Sequence, residues 1–486
     1  VVSDAEVIVI GSGPNGLAAA IRLAAAGLSV TVVEAADRPG GGARTEPLTL
    51  PGFAHDRCAA CLPMAIVSPY LRRLPLAAHG LGWASSDVSF AHPLDDQPAV
   101  LHHPSIATTA EGLGRDGPRY RRMLEPLLAD PHALLADLLA PLGVPRAPLA
   151  MARFGLMGAL PATWLGACFS DERARALLAG CAGHATQPLS NLLTGAVALV
   201  FALVGHVAAW PVVVGGTERL IDAMVGLFRA LGGTIVTSRP VRDLADFAGA
   251  RAILFATDPH QVATISGDAL PAGYRRRLGR FRFGPASYKL DWALDGPIPW
   301  ADPRVGQAAT VHLGGTMAEI AASEAAAYRG EVPDRPYVLL VQQSALDPSR
   351  APAGQHTGYA YMHVPPGCEV DCTARIEAQV ERFAPGFRDR VLARHVTRPS
   401  DFASYNLSFV GGAVTGGTAD LTQMFTRPVA RLDPYRTPNP RIFIGSSGTP
   451  PGGGVHGMGG YHAARSVLRA LGVPESRGEP APMEPS

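Results

Sequence analysis

The stretch from Ala5 to Glu34 reads AEVIVIGSGPNGLAAAIRLAAAGLSVTVVE, and the order of its parts decides the fold. Ala5–Ile10 is an apolar strand, Pro14–Ala26 an alanine-rich helix and Ser29–Val33 a β-branched strand, which is a βαβ unit. Gly11-Ser12-Gly13-Pro14-Asn15-Gly16 joins the first strand to the helix, and Glu34 stands 18 residues past Gly16. Each position has a task in holding a dinucleotide. Gly11 permits the tight turn, Gly13 lets the backbone approach a pyrophosphate, and Gly16 allows close helix–strand packing. The helix start, at Pro14 and Asn15, offers free N–H groups and the positive end of the helix dipole to phosphate. Glu34, with Ala35 beside it, can accept hydrogen bonds from ribose hydroxyls, and its charge repels a 2′-phosphate. This fingerprint does not by itself distinguish NAD from FAD.

Outward from it, the elements of a nucleotide-binding sheet recur in separated blocks. Thr217–Leu231 reads as a helix, Thr234–Thr237 and Ala252–Ala256 as strands, Arg441–Ile444 as a strand and Tyr461–Leu471 as a helix. Residues from about 118 to 205 read as helices, with apolar periodicity in Met123–Leu142 and Arg173–Leu178. Beyond residue 270 the strand-like runs Ala286–Ala293, Tyr337–Gln342 and Thr357–His363 alternate with loops and short helices. The expected fold is α/β, a Rossmann-type domain interleaved with a substrate domain of mixed sheet plus helices. Residues 1–90, 207–268 and 430–473 would form the first, and 91–206 and 269–429 the second. The proline- and glutamate-rich residues 474–486 are expected to be a disordered tail.

Composition narrows the function classes. The chain has 486 residues, 47% hydrophobic and 17% charged, with a net charge of +1. That balance excludes an electrostatic nucleic-acid footprint. Six cysteines in so long a chain read as reduced thiols, and a strand beginning by Glu6 leaves no room for a signal peptide within these residues, so a cytoplasmic protein is expected. Ala176–Thr217 carries no Asp, Glu, Lys or Arg. A membrane span needs about 20 apolar residues, and this run is interrupted by Gly205, His206 and Pro211. A buried helix is the expectation, with peripheral membrane contact by this region left open.

Two glycine-rich loops then specify the dinucleotide. Arg38-Pro39-Gly40-Gly41-Gly42-Ala43-Arg44-Thr45 brings consecutive glycines and two arginines behind the second strand. Read alone, it is a flexible loop whose arginines can neutralise phosphate. Near the other end, Gly445-Ser446-Ser447-Gly448-Thr449-Pro450-Pro451-Gly452-Gly453-Gly454-Val455-His456-Gly457-Met458-Gly459-Gly460 precedes a helix. The first loop resembles the glycine doublet of a flavoprotein superfamily that includes amine oxidases, phytoene desaturases and protoporphyrinogen oxidases. The second is similar to the closing flavin motif of its phytoene-desaturase branch. Pro51–Asp56 and Ser287–Trp292 also resemble the phytoene-dehydrogenase-like group. The resemblance implies FAD as cofactor. It places Val241 at a backbone contact to adenine and Thr257 in a strand-end motif. It also sets a helix N-terminus near Val455–Met458 against the flavin N1/O2 edge, where its N–H groups would stabilise the reduced ring.

A flavin supplies its own redox chemistry, so positioning groups are sought rather than a nucleophile. Lys289 is the only lysine in the chain. It resembles the lysine that amine and polyamine oxidases set in a substrate-domain strand to hold a water against flavin N5. The plain alternative is a surface lysine on a strand. His456, and Tyr461-His462 after it, are candidates for orienting substrate or moving a proton, with structural roles equally open. Cys58-Ala59-Ala60-Cys61 has redox-dithiol spacing, but a disulfide reductase would carry a second dinucleotide fingerprint, and none follows residue 100. No metal site is expected, because no Cys/His pair has suitable spacing.

The reading is an FAD-dependent oxidoreductase that desaturates a small apolar substrate by hydride transfer to flavin N5, with oxygen or a quinone as final acceptor. Amine-type C–N oxidation, a flavin-dependent isomerase and a non-catalytic lipid carrier on the same fold are the rivals.

Overall fold

The computed structural model describes residues 5–480; the last six positions of the expected tail lie outside the described residues. The opening stretch forms β1 (Val7–Ile10), α1 (Pro14–Ala25) and β2 (Val30–Val33). All eight strand residues are buried, as expected for a parallel sheet covered on both faces. Three later segments join them: β3 (Thr234–Val236), β4 (Ala252–Phe255) and β5 (Ile442–Ile444). The sheet is parallel throughout, in the order β5-β4-β1-β2-β3. Strand order therefore reverses between β1 and β4, and a crevice opens there at the carboxyl ends of the strands.

The helix α2 (Met458–Ala470) lies directly on α1. Glycine makes this contact possible, because a Cβ on Gly460 would sit 1.7 Å from the Asn15 carbonyl oxygen. Residues 474–480, expected to be disordered, instead pack against this layer. The buried Arg22 guanidinium donates to the carbonyl of Arg477 and pairs with Glu479 at 2.9 Å, and Tyr461 donates to the same carboxylate at 2.7 Å. A buried cation on α1 needs such partners, and the tail supplies them.

The second sheet has seven strands, in the order Val391–Thr397, Ala286–Leu294, His356–Val364, Val338–Val341, Thr310–Leu313, Phe90–His92 and Val100–His102. It is antiparallel except where Thr310–Leu313 meets Phe90–His92. The last two strands lie before the helical run 118–205, in a stretch for which no strand was expected. The single periodic run Met123–Leu142 is also broken, into Gly117–Leu124, a turn at Glu125–Leu127 and Pro131–Leu138. Pro126 and Pro131 each remove a backbone donor and end the preceding turn.

The uncharged run forms the helix Thr194–Ala208, buried along most of its length. No helix among the described residues is long and apolar enough to cross a membrane. Both ends of this helix sit on residues with positive φ, Leu193 (+71°) and Ala209 (+55°). Such conformations cost non-glycine residues energy and persist only where packing imposes them.

Candidate functional site

One cavity of about 1570 Å³ runs from the crevice above β1 to the wall of the second domain. Its first part is the glycine loop. Gly11 has φ +99°, and its N–H donates to Val33 at 2.9 Å. A Cβ on Gly16 would lie 2.0 Å from the Gly11 carbonyl, so only glycine lets α1 start this close to β1. Gly13 is the N-cap of α1 and no side chain caps that end, which leaves the Asn15 and Gly16 N–H groups for an anion. Gly41 (φ +55°) packs directly on Gly13 at the cavity wall, where a Cβ on Gly41 would meet the Gly13 Cα at 3.0 Å.

The expected contacts divide into those on the cavity and those behind it. Gly11, Gly13, Pro14, Asn15, Glu34 and Ala35 line it. So do Gly41, Gly42, Ala43 and Arg44 of the second loop, with Val241 and Thr257 after β3 and β4. Gly454, Val455 and His456 line it from the C-terminal loop. Glu34 is also a brace, since its carboxylate accepts from the Ser12 and Ala36 N–H groups, each at 2.9 Å. Arg44 folds over its own loop, donating to Pro39 at 3.1 Å, and its guanidinium lies 5.4 Å from the Tyr405 ring centre.

Several expected contacts are structural instead. Arg38 is not on the cavity wall; its guanidinium spans Glu218 (3.0 Å) and Glu46 (2.7 Å) instead. Thr45 donates to Asp56 at 2.9 Å behind the loop. Gly16 lies under the loop, as its packing requires. Gly445 and Ser446 lie beneath the C-terminal loop, the first against Ala463 and the second accepting from Gly448 at 3.1 Å. Gly457 (φ +69°) is the N-cap of α2, where a Cβ would meet Ala18 at 2.9 Å, and Met458 is buried in the core.

This changes how α2 can act. The Met458 N–H donates to His456 Nδ1 at 3.0 Å and the Gly460 N–H to Asn15 at 3.3 Å. Two of the helix's free donors are thus taken by side chains. With Nδ1 accepting, the neutral imidazole carries its hydrogen on Nε2, which is buried and has no partner among the described residues. Burial also pushes the His456 pKa down to about 4, so at neutral pH it is a hydrogen-bond donor rather than a charged acid.

Lys289 is neither a surface residue nor part of the cavity wall. Strand Ala286–Leu294 is buried on both faces, with Tyr288, Leu290 and Trp292 in the apolar core and Lys289 and Asp291 on the opposite side. Lys289 Nζ donates to Asp291 and lies 4.5 Å from the Tyr359 ring centre. Burial holds its pKa down and raises that of Asp291 to about 6, while their mutual attraction opposes both. Asp291 lies 3.7 Å from His55, and beside them Asp56 pairs with Arg350 at 2.7 Å and accepts from Thr217. This buried polar cluster supports the turn 57–61 from behind. Tyr359, whose hydroxyl donates to the Cys58 carbonyl, and Cys58 itself stand on the cavity wall in front of it.

Cys58 and Cys61 both line the cavity as free thiols. Burial pushes both up to about 12, the opposite of the depressed pKa that a redox dithiol needs. Among the described residues no group of three or more His, Cys, Asp or Glu could hold a metal. The far wall is apolar. Val197, Val200 and Phe201 of helix Thr194–Ala208 face the cavity, and Phe201 stacks on His184 at 4.2 Å and tilts against Trp210 at 5.4 Å.

Segment 404–409 has no glycine pattern and was not singled out from sequence, yet it lines the cavity. Tyr405 donates to the Gly41 carbonyl at 2.8 Å, and Phe409 packs on Gly42. Only its spatial return to the glycine doublet reveals it. Arg427 is a second such residue, buried, on the cavity wall, and donating to the Thr418 carbonyl at 2.7 Å.

Residues 9–74 match the NAD(P)-binding Rossmann-like domain family. Pyridine nucleotide-disulfide oxidoreductase domain-containing protein 2 of Rattus norvegicus is 28% identical over 96% of this chain and 94% of its own length. Phytoene dehydrogenase of Streptomyces griseus is 29% identical over 80% of this chain and 78% of its own. Among solved structures, putrescine oxidase bound to putrescine superposes with a TM-score of 0.61 at 19% identity, covering 96% of this chain and 98% of that one. That last likeness is one of fold.

Proposed function

This chain is an oxidoreductase homologous to the phytoene dehydrogenases and to pyridine nucleotide-disulfide oxidoreductase domain-containing protein 2, and from that premise we propose that it holds FAD and desaturates an uncharged, apolar small molecule. The observation that carries the reading is the single cavity joining the glycine cradle to an apolar wall. At about 1570 Å³ it exceeds the roughly 300–1,000 Å³ of a pocket for one small ligand, leaving room for a dinucleotide and a substrate together. Bound FAD would supply the two-electron acceptor: desaturation takes a hydride from one substrate carbon and a proton from its neighbour, and the fully reduced cofactor accounts for both.

The residues fit that cofactor. Gly13 and Gly41 present bare backbone where a pyrophosphate must approach, and the uncapped start of α1 offers its N–H groups. Arg44 brings a cation to the same end. Thr257 Oγ1 and His456 Nε2 are buried, unpartnered polar atoms on the cavity wall, suited to a ligand's polar edge. His456 would donate its Nε2 hydrogen there and exchange no proton with substrate near neutral pH. Val200, Phe201 and Trp210 would exclude water from the substrate.

A neutral substrate is favoured over an amine by the charges of the wall. Among the described residues its only carboxylates are Glu34 and Asp137. Glu34 is engaged by Ser12 and Ala36, and Asp137 accepts from the backbone N–H groups of Arg146 and Ala147. Neither is free to bind an ammonium group. The reduced protein would pass its electrons to oxygen or a quinone.

The test begins with purified protein and added FAD. The expected result is a bound flavin with a shifted visible absorption band; a colourless protein that leaves the FAD spectrum unchanged overturns the reading. Anaerobic photoreduction, followed by air or by a soluble quinone, then identifies the acceptor. A reduced form that neither reoxidises would remove both acceptors from the proposal.

A further inference from the structure

Among the described residues, the most exposed apolar side chains cluster on one segment and on Leu432, beside the cavity. Leu142 is 80% exposed, Val144 95%, Leu149 82% and Leu156 77%, and Leu432 is fully exposed. Leu142, Val144 and Leu432 also line the cavity. His462 ties their two segments together, bonding to the Leu139 carbonyl at 3.2 Å and stacking on Tyr435 with ring centres 6.0 Å apart. Asp137 holds the base of the first segment through the Arg146 and Ala147 N–H groups.

The helix Pro148–Gly158 shows what this surface is for. Met151, Phe154, Gly155 and Gly158, at helical spacing, line the cavity. Leu149, Ala152, Arg153 and Leu156 form the other face and are exposed. A helix over an apolar cavity should carry polar residues on its outer face. This one is apolar on both, with Arg153 the sole charge. The sequence around it agrees, since Leu138–Ser170 contains no Asp or Glu and its only charges are Arg146 and Arg153.

We infer that the surface formed by Leu142–Leu156 and Leu432 seats the protein on an anionic lipid bilayer, with the cavity mouth facing the acyl chains. An apolar patch of this kind on a soluble surface marks an interaction site. Cations without acids complement anionic headgroups, to which each adds about 1 kcal/mol of attraction. Three of its side chains, Leu142, Val144 and Leu432, also line the cavity, so a protein partner seated on it would stand in the route the substrate needs. A bilayer would not, because an apolar substrate is dissolved in it. The inference rests on reading the cavity as a site for apolar molecules, and it moves lipid contact from the uncharged run 176–217, which is mostly buried, to the segment before it.

The test is flotation of the FAD-loaded protein with vesicles of phosphatidylcholine, alone or mixed with phosphatidylglycerol. The protein is expected to float with the mixed vesicles and to be released by salt. L149E/L156E should abolish flotation while flavin absorbance and melting temperature stay unchanged, because both side chains are exposed. R146Q/R153Q should lower partition onto the mixed vesicles by about thirtyfold, the equivalent of two surface cations. Failure of the wild type to float, or flotation of L149E/L156E at the wild-type level, overturns the inference. So does a wild-type dimer in lipid-free solution that L149E/L156E converts to monomer, which would make the patch a contact between copies. A colourless protein that still floats would refute the FAD reading alone.

Discussion

Gly13 and Gly16 sit three residues apart in one motif but answer to different constraints. A Cβ on Gly13 would meet nothing closer than the Gly41 Cα at 3.8 Å, whereas on Gly16 it would lie 2.0 Å from a backbone oxygen. Gly13→Ala should leave the melting temperature of the cofactor-free protein unchanged while weakening FAD binding about 10- to 100-fold, the equivalent of a lost charge-assisted hydrogen bond. Gly16→Ala should lower both stability and affinity. Fluorescence titration with FAD beside thermal melts separates the two, and equal effects would refute the distinction. Lys289 carries a second residue-scale prediction. Lys289→Met strands Asp291 in the interior and should cost about 3–5 kcal/mol in chemical denaturation without releasing FAD. K289M/D291L should recover most of that loss. If K289M is as stable as the wild type and only slows turnover, Lys289 acts on the reaction rather than on the turn before it.

The contact between α1 and α2 is the element on which the two ends of the chain depend. It joins residue 15 to residue 460 through a backbone approach that no side chain can enter. Gly460→Val should therefore destabilise by at least the usual 1–3 kcal/mol of an overpacked core. It should also release FAD, because Asn15 and His456 lie on the cavity on either side of that contact. Thermal denaturation followed by both helical signal and flavin fluorescence tests this; retention of flavin in a destabilised variant would separate the contact from the site.

At the scale of the whole molecule, the histidines set the acid limit. His55, His184 and His462 are pushed down to about 3, and His92, His206 and His456 to about 4, each chiefly by burial. In the unfolded chain they titrate near 6.5. A depressed folded pKa contributes stability above the unfolded value and loses it as pH falls. Between about pH 6.5 and 4 the unfolded chain binds protons that the folded one refuses. Unfolding free energy should drop there by several kcal/mol per pH unit. Denaturant titrations at pH 7 and pH 5 check this, and equal midpoints would show that these imidazoles are not excluded from solvent protons.

Local chemistry was enough to read the dinucleotide sheet. Short apolar runs, a glycine turn and an acidic strand end require neighbours only a few residues away, so β1, α1 and β2 were legible to within two residues. The strands β3 to β5 were legible as apolar runs, and the two glycine-rich loops as backbone that must approach something closely. What the tertiary structure decided was which of those residues face the cavity. Arg38 and Arg44 are indistinguishable by spacing, yet Glu46 and Glu218 draw the first away. Lys289 had the right strand and the wrong depth, because Tyr359 and the turn 57–61 stand between it and the cavity. Segment 404–409 has no local signature at all, since its place depends on packing over residues some 360 positions earlier. The sequence therefore determined a dinucleotide-binding type of domain and the glycine-rich loops that would hold a ligand there. Long-range packing decided which atoms of those loops remain free to hold it, because a hydrogen-bonding group already paired within the protein is not available to a ligand.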